Sequence, residues 1–364
     1  MKKVFIGAGE PSSDKIASDI ISSMPSGIEF FGITGTEMRK CGVRSIFDIK
    51  DISFIGLDIL CNIATIVNRI NQTVAWIERH QPEIAIFVDA YDFYIRVAKK
   101  LKKSSCRTKI VAVVAPLAWL YSRNKVHKIN KYFDKLICIF PFEPDFFAKN
   151  GHKDVHFFGN PFLQKISIKN MDRDKNLVFI TIGSRDNEVA RHAPLIKKVI
   201  MNIRAKYSDI KFFIATTNVT HDLIVKFFSD ISGIEFSFDE GIKDVKMRTA
   251  YFAIAKSGTN NNEIAARGLP FLVYYKIGIL SYIIGRFILK IKMVSMVNIV
   301  ANKMIVPEII QWSDNSKRIA KCFFDFYENE KNIDVQNREA ILQINKMRGM
   351  QKESFGDLVV RNIL

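Results

Sequence analysis

Residues 3–14 read Lys3-Val4-Phe5-Ile6-Gly7-Ala8-Gly9-Glu10-Pro11-Ser12-Ser13-Asp14. A short apolar run ends in a glycine-rich turn, and Ser12, Ser13 and Asp14 then offer N-caps for a helix. The same order of strand, small-residue turn and helical pattern recurs, with apolar runs at 29–32, 84–88, 110–114, 135–139 and 155–158. Runs this short and this apolar, alternating with helices, are what a parallel sheet covered on both faces demands. The expectation is a doubly wound α/β domain over 1–166. Residues 167–176 (SIKNMDRDKN) are polar and without periodicity, and are expected to form a linker. A second series follows, at 177–182, 211–215, 233–236, 251–255 and 270–274, giving a second domain over 177–345. From about residue 315 apolar and charged residues alternate at helical spacing, so 346–364 is expected to be a C-terminal helix. No repeat of 20 to 50 residues is present, which argues against a solenoid.

The chain has 364 residues, 48% hydrophobic and 25% charged, close to ordinary globular usage and long enough for two cores. Lys and Arg total 54 against 37 Asp and Glu, a net charge of +17 that calls for an anionic partner: nucleic acid, anionic lipid or a phosphorylated substrate. Cys41, Cys61, Cys106, Cys138 and Cys322 are scattered and form no C-x-x-C pair, so they read as buried thiols of a reducing compartment. The apolar run broken at Gly7 is too short for a secretory signal. The longest apolar stretch, from Phe271 onward, is interrupted by Lys276, Arg286, Lys290 and Lys292, and no membrane span is expected.

Two Rossmann-like domains in tandem, joined by a polar hinge, form the GT-B arrangement, whose ligands lie in an interdomain cleft; that is an analogy of fold, and function must come from the site. The turn after the first strand sits at the carboxyl edge of the sheet, where open α/β folds bind ligands. It lacks the third glycine of a dinucleotide fingerprint. Asp89-Ala90-Tyr91-Asp92 puts two carboxylates at the end of a buried strand, where repulsion and partial burial raise one pKa toward a base's working range, although Asp89 alone also serves as a helix cap. Gly183-Ser184-Arg185 opens the second domain with a turn and a cation suited to a diphosphate. Ser257-Gly258-Thr259, with Glu263 one turn further on, repeats the small-residue turn, its hydroxyls suited to phosphate and the carboxylate to ribose.

Asp172-Arg173-Asp174 falls in the expected linker and reads as solvated charge. The six histidines show no metal-ligand spacing beyond the bare pair His152 and His156, and no G-x-S-x-G occurs, so no metal, no cofactor and no serine triad are expected. Between Ile264 and Pro307 there is no acidic residue, while basic residues interleave with large apolar ones. Such a surface suits anionic lipid, with about 1 kcal/mol available per well-placed cation, and equally suits core helices with snorkelling lysines. The apolar stretch 52–67 faces acyl chains or the core.

The ordered set of motifs resembles the lipid-A-disaccharide synthase family over nearly the whole chain. Gly9-Glu10-Pro11-Ser12-Ser13-Asp14 is similar to the family's G-E-x-S-x-D, Gly32 to Gly35 with Met38 and Gly42 to its next stretch, and Asp89-Ala90-Tyr91-Asp92-Phe93 to its D-A-P-D-F. Pro116 with Trp119, Pro141-Phe142-Glu143, Gly159-Asn160-Pro161, Gly183-Ser184-Arg185, Ser257-Gly258-Thr259 with Glu263, and Asn298 with Pro307-Glu308 and Gln311 follow in order. Departures fall inside the motifs, at Ser13, Tyr91, Tyr94, Ser122, Ile182 and Asn260-Asn261-Asn262, and bear on rate and acceptor preference more than on reaction type.

The resemblance implies an inverting, metal-independent GT-B glycosyltransferase. It joins UDP-2,3-diacylglucosamine to 2,3-diacylglucosamine 1-phosphate (lipid X), giving a β-1,6-linked lipid A disaccharide 1-phosphate and UDP. Asp92 is implied as base with Asp89 orienting it, and Glu10 and Ser12 as acceptor-side residues. Arg185, Ser257, Gly258, Thr259, Glu263, Asn298, Glu308 and Gln311 are implied around the UDP-sugar. A cytoplasmic enzyme lying peripherally on the anionic inner face of the cytoplasmic membrane is expected, without a nucleic-acid partner. Its terminal helices are expected to cross back to the first domain or to exchange in a homodimer. The competing readings are another GT-B UDP-sugar enzyme, with a different lipid acceptor or as a UDP-sugar epimerase, and a degenerate, nonenzymatic membrane-surface binding protein.

Overall fold

Val4, Phe5, Ile6 and Ala8 are almost completely enclosed because the strand that carries them has a neighbour on each side and helices on each face. In the computed structural model, which describes residues 2–52, 63–116, 118–120, 123–166, 172–278, 293–349 and 353–364, this strand is the centre of the first of two compact units. That unit comprises Met1–Pro161 with Met347–Leu364. Its strands are β1 (Lys2–Ala8), β2 (Ile28–Thr34), β3 (Arg44–Asp48), β4 (Ile84–Val88), β5 (Lys109–Val113), β6 (Lys135–Cys138) and β7 (Val155–Phe157), paired in parallel in the order β3-β2-β1-β4-β5-β6-β7. The order reverses between β1 and β4, the place where such sheets open a ligand crevice at their carboxyl ends. Register sets Ala8 opposite Val88, so the 7–10 turn and the Asp89 corner leave the sheet side by side.

The chain returns to this unit at its end. The Asn160 N–H donates to the Met347 carbonyl at 2.7 Å, and the Lys135 ammonium donates to the Asn362 carbonyl at 2.6 Å. The helix Phe355–Ile363 lies against the helix Pro11–Ser22 at Gly356, where a Cβ would stand only 2.6 Å from the Asp19 carbonyl oxygen. Only glycine allows that approach.

The second unit, Phe162–Lys346, has the strands β8 (Asp174–Thr181), β9 (Lys211–Ala215), β10 (Ile234–Ser237), β11 (Ala250–Lys256), β12 (Phe271–Lys276) and β13 (Glu308–Gln311). They pair in parallel in the order β10-β9-β8-β11-β12-β13. Val178, Ile180, Phe212, Ile214, Phe252 and Ile254 are buried between the sheet and the helices Asp186–Arg204 and Ser316–Tyr327. Each such side chain contributes about 1.5–3 kcal/mol when fully withdrawn from water. Thr181, Ala215 and Ala255 are in register across three strands, which levels the carboxyl edge.

Three sequence expectations are modified. The edge strands β3 and β13 were not anticipated, because RSIFD and EIIQ carry too few apolar residues to stand out. Of the expected linker, 167–171 lies outside the described residues and Asp174 already begins β8. Arg173 is not solvated charge: its guanidinium donates to the carbonyls of Arg248 (3.2 Å), Ala250 (2.7 Å), Arg267 (3.2 Å) and Gly268 (2.8 Å), and burial pulls its pKa down to about 10. It satisfies carbonyls left open at two helix ends. Arg173→Ala is therefore expected to cost about 2 kcal/mol, read as a lower midpoint in chemical denaturation, because those acceptors lose their donor. Most of 52–67 and the middle of the basic, apolar stretch, 279–292, also lie outside the described residues. Among the described residues no helix is long and apolar enough to cross a membrane.

Candidate functional site

In the first unit the turn after β1 is braced from inside. The Ser13 hydroxyl accepts the N–H groups of Gly9 (3.0 Å) and Glu10 (2.9 Å) and donates to the Glu10 carbonyl (2.8 Å). Ser13 thus staples the turn with its side chain. Asp14 is engaged by the fold itself: its carboxylate accepts the N–H groups of Gly35, Glu37 and Met38 at 2.9, 2.8 and 3.3 Å, tying the first helix to the turn after β2.

Beside this turn, Asp89 and Ala90 both adopt left-handed backbone, at φ +60° and +47°. Non-glycine residues held there cost of order 1–3 kcal/mol each and gather at functional sites. Gly9 makes room for the corner, since a Cβ on it would fall 2.1 Å from that of Ala90. Tyr94 is fully buried, stacks on Phe87 at 4.4 Å and donates its hydroxyl to the Ala8 carbonyl at 2.9 Å. Together these contacts fix Glu10 and Asp89 close enough to repel. Surrounding protein first, and then the Glu10 carboxylate, raise the pKa of Asp89 although its side chain is open to solvent. Asp92 is exposed in the first turn of the helix Tyr91–Leu101, and burial followed by its negative charge pushes the Tyr91 hydroxyl up to about 12. Ser12 is exposed in the first turn of its own helix. Glu10, Ser12, Asp89 and Asp92 thus lie at the carboxyl ends of two neighbouring strands.

The second unit holds a cavity of about 310 Å³ at the carboxyl ends of β8, β9 and β11. Ser257, Gly258, Thr259 and Glu263 line it, with Gly183, Ser184 and Asn260. Burial raises the pKa of Glu263 against the opposing pull of Arg267. The sequence reading missed Lys256, Lys243, Thr216 and Thr217, which also line the cavity. The one available signal was position: Lys256 ends an apolar strand, and the threonines directly follow another. Lys256 Nζ lies 2.7 Å from Glu188 Oε1, and its charge, after burial, drives the enclosed His192 down to about 4. Arg185 is not in the cavity lining; it precedes the helix Asp186–Arg204 with its side chain mostly exposed.

Asn298 and Glu308 are not in the lining either. The Asn298 amide is fully buried, donating to the Val306 carbonyl (2.8 Å) and Glu308 Oε1 (2.7 Å) and accepting the N–H groups of Ile305 and Val306 (2.8 Å each). The Glu308 carboxylate accepts the N–H groups of Val294 (2.9 Å) and Ser295 (2.8 Å). Both side chains shape the backbone of 294–308. Gln311 closes β13, opposite Lys276 in register.

Comparison with known proteins shows the family and the fold. The chain is 33% identical over 361 residues to a lipid-A-disaccharide synthase of Rickettsia typhi, covering 96% of this chain and 95% of the relative. Its fold is similar to that of UDP-GlcNAc 2-epimerase from Neisseria meningitidis bound to UDP-GlcNAc (TM-score 0.66, 12% identity, 99% and 98% of the two chains covered). It is also similar to MurG of Acinetobacter baumannii (TM-score 0.57, 11% identity, 100% and 99% covered). At such identities these likenesses establish two Rossmann-like domains of the GT-B type and nothing finer. The family model for lipid-A-disaccharide synthetase matches residues 4–359, from the first strand to the last helix, and on that match the chain belongs to the lipid-A-disaccharide synthetase family.

Proposed function

We propose that this chain condenses UDP-2,3-diacylglucosamine with 2,3-diacylglucosamine 1-phosphate, forming the β-1,6-linked disaccharide 1-phosphate and releasing UDP with inversion. The observation that carries the reading is the family match running through both units, the carboxylate edge of the first and the cavity of the second included. In the proposed step the acceptor's 6-oxygen bonds to the anomeric carbon of the donor as its proton passes to Asp92. The bond from that carbon to the diphosphate breaks, with its electron pair leaving on UDP. Asp89, its pKa raised by its surroundings and then Glu10, orients rather than replaces Asp92. Glu10 and Ser12 receive the acceptor sugar.

On the donor side Ser257, Gly258 and Thr259 meet the phosphates at a strand-to-helix turn, and Glu263 accepts from ribose hydroxyls. Arg185 and Lys256 balance the charge that builds on UDP, and the reaction is proposed to run without a divalent cation. Asn298 and Glu308 contribute by holding the 294–308 backbone, with Gln311 beside them at the end of β13. A net charge of +17 supports a peripheral position on an anionic membrane face, the cytoplasmic leaflet in this reading.

Purified protein given both lipid substrates in the presence of chelator is expected to form the disaccharide 1-phosphate and one equivalent of UDP, followed by mass spectrometry. A folded chain that binds UDP yet forms no disaccharide would sink the acceptor assignment. Activity that needs added divalent metal would sink the metal-independent step.

A further inference from the structure

Glu188, in the first turn of the helix Asp186–Arg204, already holds the groups that an incoming phosphate needs. Its Oε2 accepts the Ser184 N–H at 3.1 Å, while its Oε1 lies 2.7 Å from Lys256 Nζ and 3.9 Å from the Arg185 guanidinium. Ser184 and Lys256 line the cavity, and Glu188, which is not among the lining residues, is bonded to both. The fit is close: Gly183 has φ +148°, and a Cβ on it would stand 2.7 Å from the Cβ of Glu188. Lys256 in turn reaches over the Tyr275 ring at 5.4 Å. A backbone N–H, an ammonium and a guanidinium converging on one carboxylate are the donor set that binds a phosphate.

We propose that Glu188 is an internal anion that holds the diphosphate-binding groups of the empty protein and gives up Lys256 and the Ser184 N–H when the nucleotide diphosphate enters. This rests on the nucleotide reading of the cavity given above and adds a built-in competitor to it. The physical need is clear in the empty state. The side chains of Lys256 and Glu188 are only 15% and 14% exposed, and a shielded ammonium left without a counter-charge is strongly unfavourable. Burial alone would raise the Glu188 pKa, but Lys256 together with the Ser184 N–H and Arg185 outweighs it and keeps the carboxyl below its ordinary value, so the competitor is charged. A diphosphate brings more charge to the same donors, takes Lys256 over and repels the carboxylate. When UDP departs, Glu188 returns to the donors and resists its rebinding.

The cost of such a competitor is a lower apparent affinity. If Glu188 holds the donors about nine-tenths of the time, UDP binds about tenfold more weakly than the donors alone would allow. Titration calorimetry of the full chain with UDP and with uridine tests this. Glu188→Gln is expected to bind UDP about tenfold more tightly. Lys256→Met is expected to bind it about tenfold or more weakly, having lost a charge-assisted contact to phosphate. Uridine, which has base and ribose but no phosphate, should keep its native affinity in both variants.

A Glu188→Gln protein that binds UDP no more tightly than native, or tightens equally for uridine, overturns the proposal and leaves Glu188 as a brace for the Ser184 turn. A native chain that binds no UDP overturns the nucleotide reading together with this inference. If Glu188→Gln shows no thermal unfolding transition, Lys256→Met decides, and native UDP affinity in that variant overturns the proposal.

Discussion

Asp92→Asn is expected to lower turnover by about a hundredfold to ten-thousandfold while UDP binding stays native, because the amide keeps the side chain's shape but cannot take the proton of the attacking hydroxyl. The proposal gives this role to Asp92 rather than Asp89 on the resemblance of Asp89-Ala90-Tyr91-Asp92-Phe93 to the family's D-A-P-D-F. Asp92 stands exposed at the start of its helix, open to an incoming hydroxyl, whereas Asp89, its pKa raised by its surroundings and then by Glu10, has the electrostatics of a base as well, so only the pair of variants separates the two. Asp89→Asn should cost less in turnover, since asparagine keeps the side chain's size and tolerates the left-handed backbone of the corner. If Asp92 were only a first-turn acid complementing the helix dipole, its loss would cost a few tenths of a kcal/mol in stability and nothing in rate. Steady-state UDP release by the two variants separates the roles. Native turnover in Asp92→Asn, or a larger loss in Asp89→Asn, moves the base to Asp89.

The carboxyl edge of each sheet was legible because central parallel strands, covered on both faces, must be nearly continuous apolar runs, and the turns that follow them must hold small residues. That logic places Glu10, Asp89, Ser257 and Gly258 from residue type and order alone. It fails at one margin of each sheet, where the edge strand is also poor in apolar residues. β3 and β13 have a neighbour on one side only, so RSIFD and EIIQ need little apolar character and read as loops. It also fails for polar residues whose partner is the chain itself. Asn298 and Glu308 have the chemistry of ligand-binding groups, yet their hydrogen bonds go to each other and to the backbone between Val294 and Val306. Nothing in a sequence distinguishes an amide facing a nucleotide from one facing its own loop. Lys256 shows the converse: a lysine ending a strand carries no mark of a role until the fold sets it in a cavity wall against Glu188.

Glu143→Gln is expected to flatten a pH dependence of stability that the native chain shows between about pH 5 and 8. The Glu143 side chain is fully enclosed. Its Oε2 accepts the N–H groups of Ile139 (3.2 Å) and Phe140 (3.1 Å), and its Oε1 accepts the Trp119 indole N–H (3.2 Å). Burial nonetheless dominates those three donors and raises its pKa from an ordinary 4.5 to about 8. An acid whose folded pKa lies above its unfolded one binds its proton more tightly when folded. Its stabilising contribution is therefore complete below about pH 4.5 and is lost as pH rises toward 8. At 1.36 kcal/mol per unit, the loss between pH 5 and 8 is on the order of 3 kcal/mol, or several degrees in melting temperature. The glutamine variant carries a penalty of its own, since its amide nitrogen cannot accept one of the N–H groups, but that penalty does not change with pH. The readout is therefore the slope: in scanning calorimetry at pH 5, 6, 7 and 8, the native melting temperature should fall toward that of Glu143→Gln as pH rises. Parallel curves would mean that Glu143 is ionised in the folded protein throughout this range, its three donors outweighing the cost of burial.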